Sequence, residues 1–200
     1  MQQCNFNQNF LTVRESYNHH KSDSQAKNKN IMDESINNLQ DLLIEQARKL
    51  YNAEKQQLNA LTRMQELATA RELRLAIKSH IDDTSQQINR LNEVLRNLDV
   101  SSFGTESETT RELIREGYSL IDRCTDSEVM DAAIISIVQQ IEHLEIVGYG
   151  LACTYANELG FKEIADQLHL SLVEEKELDS WLTEIATEQI NKKAITPIVT

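Results

Sequence analysis

Apolar residues along this chain recur at alternating spacings of three and four, the period that keeps side chains on one face of a helix. From about Asp33, with Asp33 or Ser35 as candidate N-cap, Leu43, Ala47, Leu50, Glu54, Leu58 and Leu61 share a face that runs to about Ala68. After a break near Thr69, Ala70 and Arg71, a second helix carries Leu73, Ile77, His80, Thr84, Gln87, Leu91, Val94 and Leu98 in an unbroken repeat, with Asp83 at its border. Residues 99–107, including Gly104, read as a loop, and a shorter helix at about 108–123 presents Leu113, Ile114, Tyr118 and Ile121. Thr125, Asp126, Ser127 and Glu128 match a capping box with Thr125 at the cap. That box opens a long helix striped by Ile135, Val138, Glu142, Glu145, Tyr149, Ala152 and Ala156, and Gly160 is placed to end it as a C′ glycine. The last helix, about 161–190, has Leu168, Leu172, Glu175, Asp179, Leu182 and Ala186 in its seam, and residues 191–200, with Pro197, are expected to fray.

Four long helices with one short helix inside a connection of about 28 residues predict an all-α, ferritin-like four-helix bundle with a long crossover. Five Gly and one Pro in 200 residues leave little material for tight β-turns, which agrees. No repeat of 34 or 40 residues supports a helical solenoid, and the seams are too short and interrupted for a coiled-coil dimer. Residues 1–32, rich in Asn, Gln, Ser, Lys and His without a sustained period, read as a mobile polar extension ahead of a bundle at 33–190. His19 and His20 within it read as solvated rather than as a metal pair.

Charge and cysteine content narrow the function classes. The formal net charge is −12, and residues 1–32 hold four basic against two acidic side chains, so the remainder carries about −14. With no basic stripe in that remainder, a nucleic-acid footprint is not expected. Cys4, Cys124 and Cys153 are odd in number and far apart, which points to reduced thiols and a cytoplasmic protein. No stretch approaches the roughly 18 apolar residues of a membrane span, and the N-terminus lacks a basic region followed by an apolar run.

The acids in the seams carry the chemistry. Ionised carboxylates in an apolar interior are costly unless paired, protonated or metal-bound. Polar breaks fall at 80–87, 142–145 and 175–179, each at mid-helix, and Glu54 lies about 15 residues, roughly 22 Å, before the first turn. Glu54, Asp83, Gln87, Glu142, Glu145, Glu175 and Asp179 are therefore expected at one height, with His80 nearby. Lys176 and Arg90 are the nearest cationic side chains, too few to compensate. Oxygen-rich donors suit iron or manganese, and paired ions bridged by carboxylates are what such bundles build. His143 points away from the seam. Gly148 and Gly150 are read as allowing close helix approach or a local bulge, because GxG inside a helix is too weak a pattern for a phosphate loop.

The residues Leu50–Gln56 (LYNAEKQ), His80–Thr84 (HIDDT), Asp131–Ile134 (DAAI), Glu142–Ile146 (EHLEI), Tyr149–Gly150, Glu174–Lys176 (EEK) and Asn191–Ala194 (NKKA) together resemble the bacterial YciF/YciE group of ferritin-like proteins over about residues 36–194. The resemblance implies a rubrerythrin-related bundle, a dinuclear metal centre, a homodimer and an association with bacterial stress responses. The chain departs from the pattern in having Asp82 and Asp83 where the group has two Glu, and in lacking a Glu-x-x-His pair on the second and fourth long helices. Two functional readings follow: a stress protein whose dinuclear iron or manganese centre reacts with oxygen or peroxide, and a non-catalytic helical interaction protein with a structural or vestigial metal site. Iron storage in a cage is a weaker third.

Overall fold

Helix α1, Leu39–Leu67, starts where Asn38 adopts an extended backbone and its side chain accepts from the Asp41 amide at 2.9 Å. The Asp41 carboxylate accepts in return from the Asn37 amide at 2.8 Å. This reciprocal cap sets the start later than expected from Asp33 or Ser35: Ser35 precedes the helix, and Asp33 lies outside the residues described by this computed structural model, which are 35–102 and 106–195. Expectations for residues 1–32, Cys4, His19, His20, Gly104 and Pro197 likewise fall outside them. Asn37–Thr200 forms one unit; of the other, Met1–Ile36, only Ser35 and Ile36 are described.

Helix α2, Arg71–Asn97, has no side-chain cap of its own. Its start is held instead by the buried Asp131, whose carboxylate accepts from the Thr69 amide at 2.8 Å, the Thr69 hydroxyl at 2.7 Å and the Ala70 amide at 2.8 Å. Helix α3 spans Glu108–Ile121, and α4 spans Ser127–Glu158. The cap of α4 is Asp126, not Thr125: its Oδ1 accepts from Glu128 and Val129 amides at 3.0 and 3.1 Å. Gly160, at φ 76°, closes α4 in a Schellman motif, with the Phe161 amide donating to Ala156 O at 2.9 Å. Helix α5, Lys162–Ile185, continues through a π-helical turn, Ala186–Ile190, into a last short helix α6, Asn191–Ala194, so the chain stays helical past the expected fraying point at 191.

Two apolar clusters fix how the helices run. One joins the C-terminal half of α1 (Ala60, Leu61, Met64) to the start of α2 (Leu73, Ile77), the start of α4 (Ile134, Val138, Ile141) and the end of α5 (Leu178, Leu182, Ile185). The other joins Leu43, Ala47 and Leu50 to Leu91, Val94 and Leu95, Tyr149, Ala152 and Ala156, and Leu168 and Leu172. α1 is therefore parallel to α5 and antiparallel to α2 and α4, the arrangement that a long crossover between α2 and α4 produces. The crossover helix α3 lies on α1 and α4, with the Tyr118 hydroxyl donating to Ala60 O at 3.4 Å and Gly117 against Ile137. Both described cysteines, Cys124 and Cys153, are free thiols. No helix among the described residues is long and apolar enough to cross a membrane.

The two glycines of α4 differ in what they make room for. A Cβ on Gly148 would lie 2.8 Å from Leu50 Cδ2 on α1, whereas one on Gly150 would meet nothing within 4 Å. Of the two, only Gly148 lies against α1 at close range. Thermal melts should separate the pair: Gly148→Ala is expected to lose about 1–3 kcal/mol through overpacking, and Gly150→Ala to gain about 0.5–1 kcal/mol from helix propensity.

Candidate metal centre

Between the two apolar clusters each long helix contributes a polar turn. Glu54 and Gln57 come from α1, His80, Thr84 and Gln87 from α2, Glu142 and Glu145 from α4, and Ser171 and Glu175 from α5, all of them buried. Two groups of possible ligands form within this layer. His80, Glu142 and Glu175 make one, and Glu54, Glu145 and Glu175 the other; within each, one ligand atom per residue lies within 4.8 Å of the rest. Glu175 belongs to both, the placement a bridging carboxylate needs.

Protein donors occupy only part of the acceptor capacity. The Tyr149 hydroxyl donates to Glu54 Oε1 at 2.5 Å, and Gln57 Nε2 donates to Glu142 Oε1 at 2.6 Å. His80 Nε2 sits 3.1 Å from that same Glu142 oxygen, 3.1 Å from Gln57 Nε2 and 4.0 Å from Glu175 Oε2. Gln87 Nε2 donates to Glu175 Oε1 and, at 3.0 Å, to Glu174 Oε2. Both oxygens of Glu145, and one oxygen each of Glu54, Glu142 and Glu175, accept no hydrogen bond of ordinary geometry. Buried carboxylate oxygens without donors are uncommon. Their coincidence at one height fits cations better than it fits packing.

Burial dominates the electrostatics. Desolvation pushes Glu54, Glu145 and Glu175 well above the usual carboxylate range, and neighbouring carboxylates push them further. Glu142 is raised to about 8, chiefly by desolvation, with contacts to Glu175 and Gln57 acting in the opposite direction. Tyr149 is also raised well above its ordinary value by burial and by the nearby carboxyl groups. Without a cation, burial and mutual repulsion favour the protonated forms of these carboxyls.

The structure brings Glu54, Glu142, Glu145 and Glu175 together and places Gln87 beside them through its amide. Asp83 is only part-buried, on the α2–α5 flank, with its carboxyl raised by desolvation and by Glu174. Asp179 is displaced from the layer: its carboxylate accepts from Gln139 Nε2 at 2.9 Å and lies 3.3 Å from His143 Nε2, because Asp179 sits on the α4 edge of the α5 stripe while Leu178 turns inward. Arg90 directs its guanidinium to Glu174, and Lys176 is exposed. Gln57 is the residue that sequence reasoning missed. The expected face used Leu58, which is only half-buried, but the strict repeat Leu43, Ala47, Leu50, Glu54, Gln57, Leu61, Met64 leads to Gln57.

The family described as Domain of unknown function (DUF892) matches residues 38–195. Protein YciF of Escherichia coli (strain K12) is 33% identical over 163 residues, covering 80% of this chain and 97% of that protein. Among solved structures, the E. coli stress protein YciF superposes with a TM-score of 0.74 at 32% identity, covering 78% of this chain and 99% of that one. YcfI from Rhodopseudomonas palustris gives 0.73 at 35% identity, covering 78% and 98%.

Raised carboxyl pKa values favour the folded state only while the groups stay protonated. For metal-free protein this contribution is complete below about 4.5, the unfolded value, and is lost as pH rises through the folded values, about 8 for Glu142. The melting temperature of metal-stripped protein should therefore fall across that window. Glu142→Gln should flatten the decline, and saturating Mn2+ should flatten it while releasing protons, read as a buffer-dependent heat of binding. A melting curve indifferent to pH in all three samples would count against a buried carboxylate layer.

Proposed function

The chain belongs to the DUF892 family, and we propose that it is a metal-binding stress-response protein whose central layer holds a dinuclear iron or manganese centre that reacts with oxygen or peroxide. The observation that carries this reading is Glu175 shared between two three-residue groups, beside a Glu145 with both buried oxygens unpartnered. Glu54, Glu142, Glu145 and Glu175 supply four negative charges when ionised, which two divalent ions neutralise. His80 adds the nitrogen donor. The stress-response part rests on likeness to E. coli YciF.

When bound, the ions supply electron transfer to oxygen or peroxide. The chain's own residues orient and insulate. Tyr149 fixes Glu54 through its 2.5 Å hydrogen bond, Gln57 holds Glu142, and Gln87 holds Glu175. The apolar clusters above and below exclude water and keep the carboxylates from rotating out. Free Cys124 and Cys153 support a cytoplasmic location. A homodimer is supported by an exposed apolar strip on α4, formed by Leu144, Val147 and Leu151 at 38%, 60% and 42% exposure.

The missing Glu-x-x-His pairs favour the second reading, a structural metal site in a non-catalytic interaction protein. Elemental analysis of untagged protein separates the two. Two ions per chain that turn over oxygen or peroxide support the first, and ions that only raise the melting temperature support the second. Glu54→Ala with Glu145→Ala should abolish binding, and Tyr149→Phe should weaken it about 10–100-fold. If wild type carries no metal and melts as the double variant does, both metal readings fail. Val147→Glu should shift the protein from dimer to monomer in light scattering without changing its metal content.

A further inference from the structure

The layer is closed above and below by apolar clusters, so a cation must reach it sideways, between two helices. The α2–α5 seam carries a continuous polar line from the surface to a candidate ligand. At its outer end Arg90 Nη2 donates to both oxygens of Glu174, at 2.7 and 2.6 Å, and Arg90 Nη1 donates to Ser171 Oγ at 2.8 Å. The side chains of Arg90 and Glu174 remain 15% and 21% exposed, and part-buried Asp83 lies one helical turn before Gln87 on the same face of α2. Inward, the amide of Gln87 donates both to Glu174 and to Glu175, and its Oε1 is buried with no protein partner. An acceptor in that position offers an oxygen to a cation passing from Glu174 to Glu175.

We propose that this seam is the cation entrance to the layer, with Glu174 and Asp83 as the receiving carboxylates and Arg90 as a latch occupying the outermost cation position until a metal ion displaces it. The proposal rests on the metal-binding reading above. Arg90 suits the role because its guanidinium already satisfies Glu174 as a charge and sits on a long side chain whose rotamers exchange far faster than the backbone moves. The competing route, the α4–α5 seam, is also polar. There Asp179 bonds to Gln139 and pairs with His143; its charge acts on Glu142, but no hydrogen bond carries this seam on to a carboxylate of the layer, as Gln87 does between Glu174 and Glu175.

The test is the rate at which metal-free protein takes up Co2+, followed by absorbance after rapid mixing, with the final Co2+ per chain measured separately. Glu174→Gln should slow uptake about tenfold, the scale of lost electrostatic steering, and leave the final occupancy unchanged. Asp83→Asn should slow it by less, and Arg90→Gln should accelerate it. Asp179→Asn should load at the wild-type rate. Normal final occupancy with unchanged rates in Glu174→Gln and Arg90→Gln overturns the entrance and leaves the metal site standing, as does slowing confined to Asp179→Asn. A wild type that binds no Co2+, Mn2+ or Fe2+ overturns both. Because Arg90 and Glu174 sit at the rim, the double Arg90→Gln, Glu174→Gln variant should fold normally, and it should load as slowly as Glu174→Gln alone.

Discussion

Four carboxyl groups, one from α1, two from α4 and one from α5, share the middle of the bundle with no buried Lys or Arg among the described residues. That one constraint organises much of the rest. Ionised together without a counter-charge they would repel strongly at low effective dielectric, so they stay protonated or share cations. Both solutions need the helices held at fixed separations, since a carboxylate that could swing to solvent would do so. The apolar clusters on either side provide that restraint, and the tight α1–α4 contact at Gly148 holds Glu54 and Glu145 on facing helices.

Much of this was legible because the helix repeat is strict. Once Glu54, His80, Glu142 and Glu175 were placed on apolar stripes, their height followed from a rise of about 1.5 Å per residue, and the bundle followed from four long stripes and one long connection. Spacing was less able to decide lateral position. Asp179 satisfies the repeat as well as Glu175 does, yet it lies at the edge of its stripe, where Gln139 and His143 compete for it. Gln57 was hidden for the opposite reason, because Leu58 beside it is the more hydrophobic residue and draws the eye off the repeat.

Caps and long-range polar contacts were the least readable features. Asp131 reads as a polar residue early in α4, but it closes the α1–α2 turn from more than sixty positions away in sequence. Asp126 took the cap of α4 although Thr125 satisfied the capping pattern, and one residue of offset is within the slack that such patterns carry. The links between Arg90 and Glu174, and between Gln87 and Glu175, join helices separated by the crossover. They emerge only when α2 and α5 are packed side by side.

The two groups that share Glu175 are unequal in a way that bears on filling. Where His80 and Glu142 meet Glu175, protein donors already engage Glu142 through Gln57 and Glu175 through Gln87. Where Glu54 and Glu145 meet Glu175, Tyr149 engages Glu54, while neither oxygen of Glu145 accepts a hydrogen bond of ordinary geometry. Glu142, raised to about 8 chiefly by burial, holds a proton that a divalent ion attracted by several carboxylates would displace. In the metal-binding reading proposed above, protons on these acids are exchangeable placeholders that a bound ion would release. On that reading the folding stability comes from the apolar clusters on either side and the occupancy from the metal supply.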